Sequence, residues 1–173
     1  MKILGQKFFN RPVVKVSEEL LGKYLVRKIG NREVAYKITE VEAYDGEKDL
    51  ASHSSKGRTP RTEVLYGEAG YFYVYLCYGM YWMLNIVTEK KDYPSAILIR
   101  GIDGFDGPGK LTRKLKIDRK LNGKSAEPAS KLWVEDRGEK IDSKQVKKTP
   151  RIGVAYAGPI WSKKKYRFVL SKF

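Results

Sequence analysis

The chain has 173 residues, of which 42% are hydrophobic and 32% charged. That length suits one domain, residues 1–173, and the apolar content supports a core, which excludes disorder. Lys plus Arg number 35 against 20 Asp plus Glu, a net charge of +15 with a single histidine and a single cysteine. The lone Cys77 excludes an internal disulfide framework, and Cys77 with His53 cannot make an ordinary Cys/His zinc site. No apolar run reaches a membrane span, and Met1 to Lys7 lacks a signal-peptide block. The expectation is an intracellular protein in a reducing compartment, cytoplasm or nucleoid in a prokaryote, with no membrane contact.

The charge is uneven: residues 1–109 carry +2 and residues 110–173 carry +13. A basic excess confined to one segment is the footprint of a polyanion, and nucleic acid fits better than an anionic membrane because no long amphipathic basic helix is evident.

In chain order, Asn10-Arg11-Pro12 predicts a helix with Asn10 as N-cap and Pro12 in its first turn. Val13, Val16, Leu20 and Leu21 follow at helical spacing, and Gly22 stops it. Tyr24 to Ile29 reads as a strand, Gly30-Asn31 as a turn and Val34 to Tyr44 as the return strand. Residues 45–67 are polar and turn-rich, a long loop of the kind that carries functional residues. Residues 70–87 are aromatic and β-branched with Gly79 near the middle, which predicts a hairpin. Ser95 to Ile102 is a further strand. After Gly107-Pro108-Gly109 comes a basic helix with Leu111, Leu115 and Ile117 on its apolar side and Arg113, Lys114, Lys116, Arg119 and Lys120 around the rest. Trp133 to Glu135, Arg151 to Tyr156 and Tyr166 to Leu170 read as strands, the last two around Gly158-Pro159. The fold class is α+β, a compact domain with a largely antiparallel sheet, a protruding aromatic β-hairpin and a few helices.

Three groups of residues could carry chemistry. Tyr71, Tyr73 and Tyr75 share a strand face, with Tyr78 and Tyr81 close by. Two explanations stand side by side: a packing stripe, or ring faces that stack on bases beside a basic surface. Glu40, Glu42 and Tyr44 share a strand face with Ile38. Glu42 is either an exposed strand glutamate paired with a lysine, or a half-buried carboxyl with a raised pKa. His53 is either structural or a base or proton sensor, and its Ser52 and Ser54 neighbours identify no triad.

A family resemblance bears on all three. Glu40-Val41-Glu42-Ala43-Tyr44, Ala51-Ser52-His53-Ser54, Thr59-Pro60-Arg61 and Tyr73-Val74-Tyr75-Leu76-Cys77-Tyr78-Gly79-Met80-Tyr81 with Asn85 resemble the alkyladenine (3-methyladenine) DNA glycosylases, monofunctional base-excision enzymes of the methylpurine-DNA glycosylase type. Leu98-Ile99-Arg100, Gly107 to Leu111 and Arg151-Ile152-Gly153-Val154 keep the family order, so the resemblance spans nearly the whole chain. It implies that Glu42 activates the attacking water and that Tyr44, His53 and Tyr75 wall the pocket for an extruded base. By the same resemblance Tyr78 wedges into the minor groove, and Asn85 clashes with the 2-amino group of normal guanine. The resemblance further implies that Arg100 helps hold the water and the flipped nucleotide's phosphate, and that a backbone amide near Val154 contacts the base.

The implied activity is excision of an alkylated or deaminated purine from double-stranded DNA by a water, without metal or other cofactor, by a monomer. Lys110 to Lys124 holds seven basic residues against Asp118, and Lys110, Arg113 and Lys114 are the expected phosphate contacts. The alternative is a catalytically silent lesion- or RNA-binding protein that uses the aromatic hairpin and the basic face. Glu42 separates the two, because a pure binder gains nothing from a carboxylate beside a polyanion.

Overall fold

The computed structural model describes residues 1–171. Everything is arranged around one long strand. In chain order the strands are β1 (Lys2–Ile3), β2 (Tyr24–Ile29), β3 (Arg32–Asp45), β4 (Phe72–Cys77) and β5 (Tyr81–Thr88). There follow β6 (Ser95–Ile102), β7 (Phe105–Asp106), β8 (Leu132–Asp136), β9 (Val146–Thr149) and β10 (Arg167–Leu170). The helices are α1 (Gln6–Phe9), α2 (Val13–Leu20), α3 (Pro108–Lys114) and α4 (Gly158–Trp161). All strand pairs are antiparallel, in the order β1-β8-β2-β3-β6-β5-β4, with β10 on β3 and β9 on β10. The α+β class with a large antiparallel sheet and few helices is therefore as expected.

The first half of β3 pairs with β2, from Arg32 to Lys37. Its second half lies between β6 and β10, so that Glu42 faces Leu98 on one side and Arg167 on the other. Side chains alternate across a strand. Val41 and Ala43 point into the main core with Ile97, Ile99, Leu84, Ile86, Phe72 and Val74, under Val16 and Leu20 of α2 and Leu111 of α3. Glu40, Glu42 and Tyr44 therefore take the opposite face.

Ile38 does not join them. The register of β3 against β6 shifts between Ile38 and Glu40 and again between Glu40 and Val41. An extra residue on one strand reverses the alternation beyond it, so Ile38 is buried in the core with Val41 and Ala43. The second shift leaves Arg100 as the residue of β6 without a partner, between Ile99 and Gly101.

Other departures have local causes. Asn10 closes α1, its N–H on Gln6 O at 2.8 Å, rather than capping α2. No side chain at the Pro12 N-cap serves α2; instead the Val13 N–H donates to Glu89 Oε1 at 3.1 Å, a cap from a distant strand end. The expected stop holds, since Gly22 takes φ +79 just beyond the helix. Within the 45–67 loop two 3₁₀ turns form, His53–Lys56 and Glu63–Tyr66. Tyr71 lies outside β4 and bridges Ser125.

The basic helix is shorter than its charge pattern suggested. α3 ends at Lys114 because Lys116 turns left-handed at φ +49, and the Asp118 carboxylate starts a separate 3₁₀ turn, Arg119–Leu121. Leu111, Leu115 and Ile117 are nonetheless buried together. Residues 151–156 are not a strand. Gly153 at φ +73 breaks the extension, a 3₁₀ turn forms at Ala155–Ala157, and β10 pairs with β9 instead. Among the described residues, no helix is long and apolar enough to cross a membrane.

Candidate active site

A row of side chains crosses the sheet face opposite α2 and α3. Its registered partners run Tyr73, Asn85, Leu98, Glu42, Arg167, one from each of β4, β5, β6, β3 and β10. The sheet thus assembles a site that no local stretch of chain contains.

Glu42 is completely buried. An isolated buried carboxylate is costly, so its partners matter. Tyr44 Oη donates to Oε2 at 2.8 Å, the Ile152 backbone N–H donates to Oε1 at 2.7 Å, and Arg100 Nη1 lies 3.6 Å from Oε2. Burial raises the Glu42 pKa, while Arg100, the Ile152 amide, the Tyr44 hydroxyl and Arg151 oppose that rise. Neither the exposed glutamate nor a lysine pair is what the fold builds. Arg100 is shared: its Nε donates to Glu40 Oε1 at 3.1 Å, and Arg167 Nε reaches the same oxygen at 2.6 Å. The bulge lets one guanidinium span Glu40 and Glu42, a known use of such irregularities near active sites.

Beside this network opens a pocket of about 360 Å³, mouth included, lined by Tyr44, His53, Tyr73, Tyr75, Asn85 and Tyr156 together with small residues such as Ala51 and Ala96. An aromatic lining with hydroxyl, imidazole and amide groups set among the rings suits a small ligand. Glu42 does not itself line the pocket. Tyr44 connects the two, lining the pocket with its ring and donating its hydroxyl to Glu42.

The walls pack against one another. The His53 and Tyr75 rings lie 4.5 Å apart, Tyr73 and Tyr75 5.3 Å apart, and His53 Nδ1 is 3.0 Å from Tyr73 Oη. Burial pushes the His53 pKa down to about 4, with Arg61 and Lys56 adding to the effect, so the imidazole is neutral near pH 7. The Asn85 amide is anchored by Nδ2 to Tyr73 O at 3.1 Å.

Tyr78 is 90% exposed at the tip of the β4–β5 hairpin, where Met80 N–H closes on Cys77 O at 3.1 Å. Both Tyr78 (φ +50) and Gly79 (φ +66) are left-handed. Glycine adopts that conformation freely; for a tyrosine it costs about 1–2 kcal/mol. The α3 helix docks on this hairpin. A Cβ at Gly109 would lie 2.6 Å from the Tyr81 ring, and Thr112 Oγ1 donates to Trp82 O at 2.9 Å. Lys110, Arg113 and Lys114 are exposed on α3.

All three core candidates, Glu42, Tyr44 and Arg100, meet, and His53, Tyr75 and Asn85 form the adjoining pocket. Sequence reasoning assigned no role to Tyr73, Tyr156, Asp49, Arg151 or Arg167. Tyr73 stood in the tyrosine stripe and Arg151 in the Arg-Ile-Gly-Val run, but nothing local signals Asp49 or Arg167. Among the described residues, no group of His, Cys, Asp and Glu is placed to hold a metal ion.

The chain is also similar to known proteins. A family model described as methylpurine-DNA glycosylase matches residues 7–106 and 103–172. A Legionella pneumophila (strain Corby) protein named "Putative 3-methyladenine DNA glycosylase" is 44% identical across 98% of this chain and 95% of its own length. Proteins of the same name from Methanocella arvoryzae, 44% identical over 91% of this chain and 88% of their own, and from Psychrobacter cryohalolentis, 41% over 90% and 86%, are similar as well. The matches cover the β3 strand, the aromatic hairpin and the C-terminal segment that build the site, and the chain belongs to the methylpurine-DNA glycosylase family.

Proposed function

We propose that this protein is a monofunctional DNA glycosylase that extrudes an alkylated or deaminated purine from duplex DNA and hydrolyses its N-glycosidic bond. It acts as a single domain and a monomer, and the reaction uses no cofactor. The observation that carries this reading is Glu42, a fully buried carboxylate held by a guanidinium, an amide and a phenol at the edge of an aromatic pocket.

The target atom is inaccessible inside a duplex, so the base is extruded at a cost of a few kcal/mol, less for a poorly paired lesion. Tyr78 fills the vacated place, as minor-groove wedges do. The lesion stacks among Tyr44, His53 and Tyr75. Tyrosine faces attract the positive ring of an alkylated purine by about 0.5–2 kcal/mol each. A neutral His53 adds no opposing charge. Asn85, fixed by its bond to Tyr73 O, excludes a 2-amino group.

Water then attacks C1′. The C1′–N bond breaks with its electron pair going to the base, and the water's proton passes to Glu42. The same carboxylate stabilises the oxocarbenium-like sugar, and Arg100 holds the water and the flipped nucleotide's phosphate. An alkylated base departs neutral, whereas hypoxanthine needs a proton as it leaves. Lys110, Arg113 and Lys114 hold phosphates without reading sequence.

The test is base release from duplex oligonucleotides carrying one hypoxanthine or ethenoadenine, read by alkaline cleavage of the abasic product. Glu42→Gln is expected to abolish release and leave lesion binding within a few-fold. Release by Glu42→Gln at the native rate would sink the assignment. Lesion binding without release by the native chain would favour the silent binder.

A further inference from the structure

One charged group lies where β3, the loop that carries His53 and the C-terminal segment meet, and takes no part in the chemistry above. The Arg151 side chain is completely buried, as is its partner Asp49. Arg151 Nη2 donates to Asp49 Oδ1 at 2.8 Å, and Nη1 donates to Asp49 Oδ2 and to Ala43 O, the latter at 2.8 Å. Nη2 also reaches Trp161 O at 3.3 Å. The guanidinium lies 4.8 Å from the centre of the Tyr44 ring and 5.4 Å from that of Tyr166. Asp49 in turn accepts the Asp45 and Ala51 N–H groups at 3.0 and 3.1 Å.

One planar fork therefore joins β3, the loop that carries His53, and the segment from 151 to 161. The next residue along, Ile152, supplies the N–H that holds Glu42. A buried ion pair is a poor way to stabilise a fold, since apolar replacements of equal volume are often as good or better. This one even leaves Arg151 Nε without a partner. Its geometry is what a smaller or apolar residue cannot reproduce.

We propose that Arg151 and Asp49 are a positioning pair: together they set the Ile152 amide against Glu42 and the Tyr44 ring against the pocket. The proposal rests on the glycosylase reading for its kinetic consequence but not for its structural one. Charged or titratable groups around Glu42 are Arg100 from β6, Glu40 and Tyr44 from its own strand, Arg167 from β10, Tyr75 from β4, and Arg151 and Tyr156 from the C-terminal segment.

Three variants separate the contributions. Arg151→Lys keeps the charge and loses the fork, Arg151→Met loses both, and Asp49→Asn keeps the shape and loses the acceptor charge. Each is expected to lower kcat for base release at least tenfold while KM changes less than threefold. The acid limb of the rate moves to higher pH in Arg151→Met alone, because that variant removes a cation facing Glu42. Hydrogen exchange at the Ile152 amide is expected to accelerate at least tenfold in all three.

Folded Arg151→Lys and Asp49→Asn with native kcat and native Ile152 exchange would overturn the proposal. Failure of all three to fold would overturn it too, making the pair a folding element. Accelerated exchange in the variants of a native chain that releases no base would uphold the pair and reject the glycosylase reading instead.

Discussion

His53 is the one side chain whose charge could change near neutrality, and the pocket prevents it. Burial first, then Arg61 and Lys56, hold its pKa at about 4, against about 6.5 in an unfolded chain. The sign of the consequence follows from proton counts. Between those values the unfolded state binds a proton that the folded state refuses, so stability is full above about pH 6.5 and falls as pH drops towards 4. The slope is at most about 1.4 kcal/mol per pH unit for one group. Urea melts between pH 4 and 7 should show this loss, and His53→Gln should flatten it. An unchanged slope in the variant would place the acid sensitivity elsewhere. Glu42 contrasts with it: its carboxyl is raised by burial, which suits the proton acceptor proposed above, whereas His53 is kept uncharged where the proposed cationic lesion stacks.

At the scale of elements, two irregularities do what regular strands cannot. The paired register shifts put Ile38 into the core and free Arg100 to reach Glu40 and Glu42. The hairpin tip places a bulky ring at φ +50 in full solvent. Strain kept at an exposed residue that packs against nothing is a reason to look for function there. Tyr78→Gly is the informative change. Relief of the left-handed backbone should leave stability unchanged or raise it by about 1 kcal/mol, while base release from duplex DNA slows because the vacated stack is no longer filled. Thermal melting and single-turnover release measure the two effects. A native release rate would refute the wedge.

Over the whole molecule, the charge asymmetry acquires a direction. The +13 of residues 110–173 begins at α3, which is packed through Gly109 and Thr112 on the same hairpin that presents Tyr78. The basic surface and the proposed wedge are thus neighbours, and in the proposed function phosphate contacts there position the tip without base readout. Each phosphate contact contributes about 0.9 to the slope of log affinity against log salt. Replacing Lys110, Arg113 and Lys114 together by alanine should reduce that slope by about 2–3 in a binding titration on undamaged duplex. A slope that does not move would put the DNA on another face.

The elements with strong local signals were legible in the chain alone. Alternation and aromatic content marked β2 to β6, helical spacing marked α2, and the Gly-Pro-Gly turn marked the start of α3. The family signatures led to Glu42, Tyr44, His53, Tyr75, Tyr78, Asn85 and Arg100. Tertiary structure decided the rest, because the causes are not local. Asn10 yields the capping of α2 to Glu89, which arrives from the end of β5. Residues 151–156 carry β-branched and aromatic residues yet turn, because Arg151 and the Ile152 amide are drawn to Asp49 and Glu42. The alternation rule placed Ile38 beside Glu42, and a bulge set by β6 moved it. Residue types and their spacing established which chemistry was available. Only the antiparallel register, which lines up five strands from Tyr73 to Arg167, decided which side chains would share one buried electrostatic network.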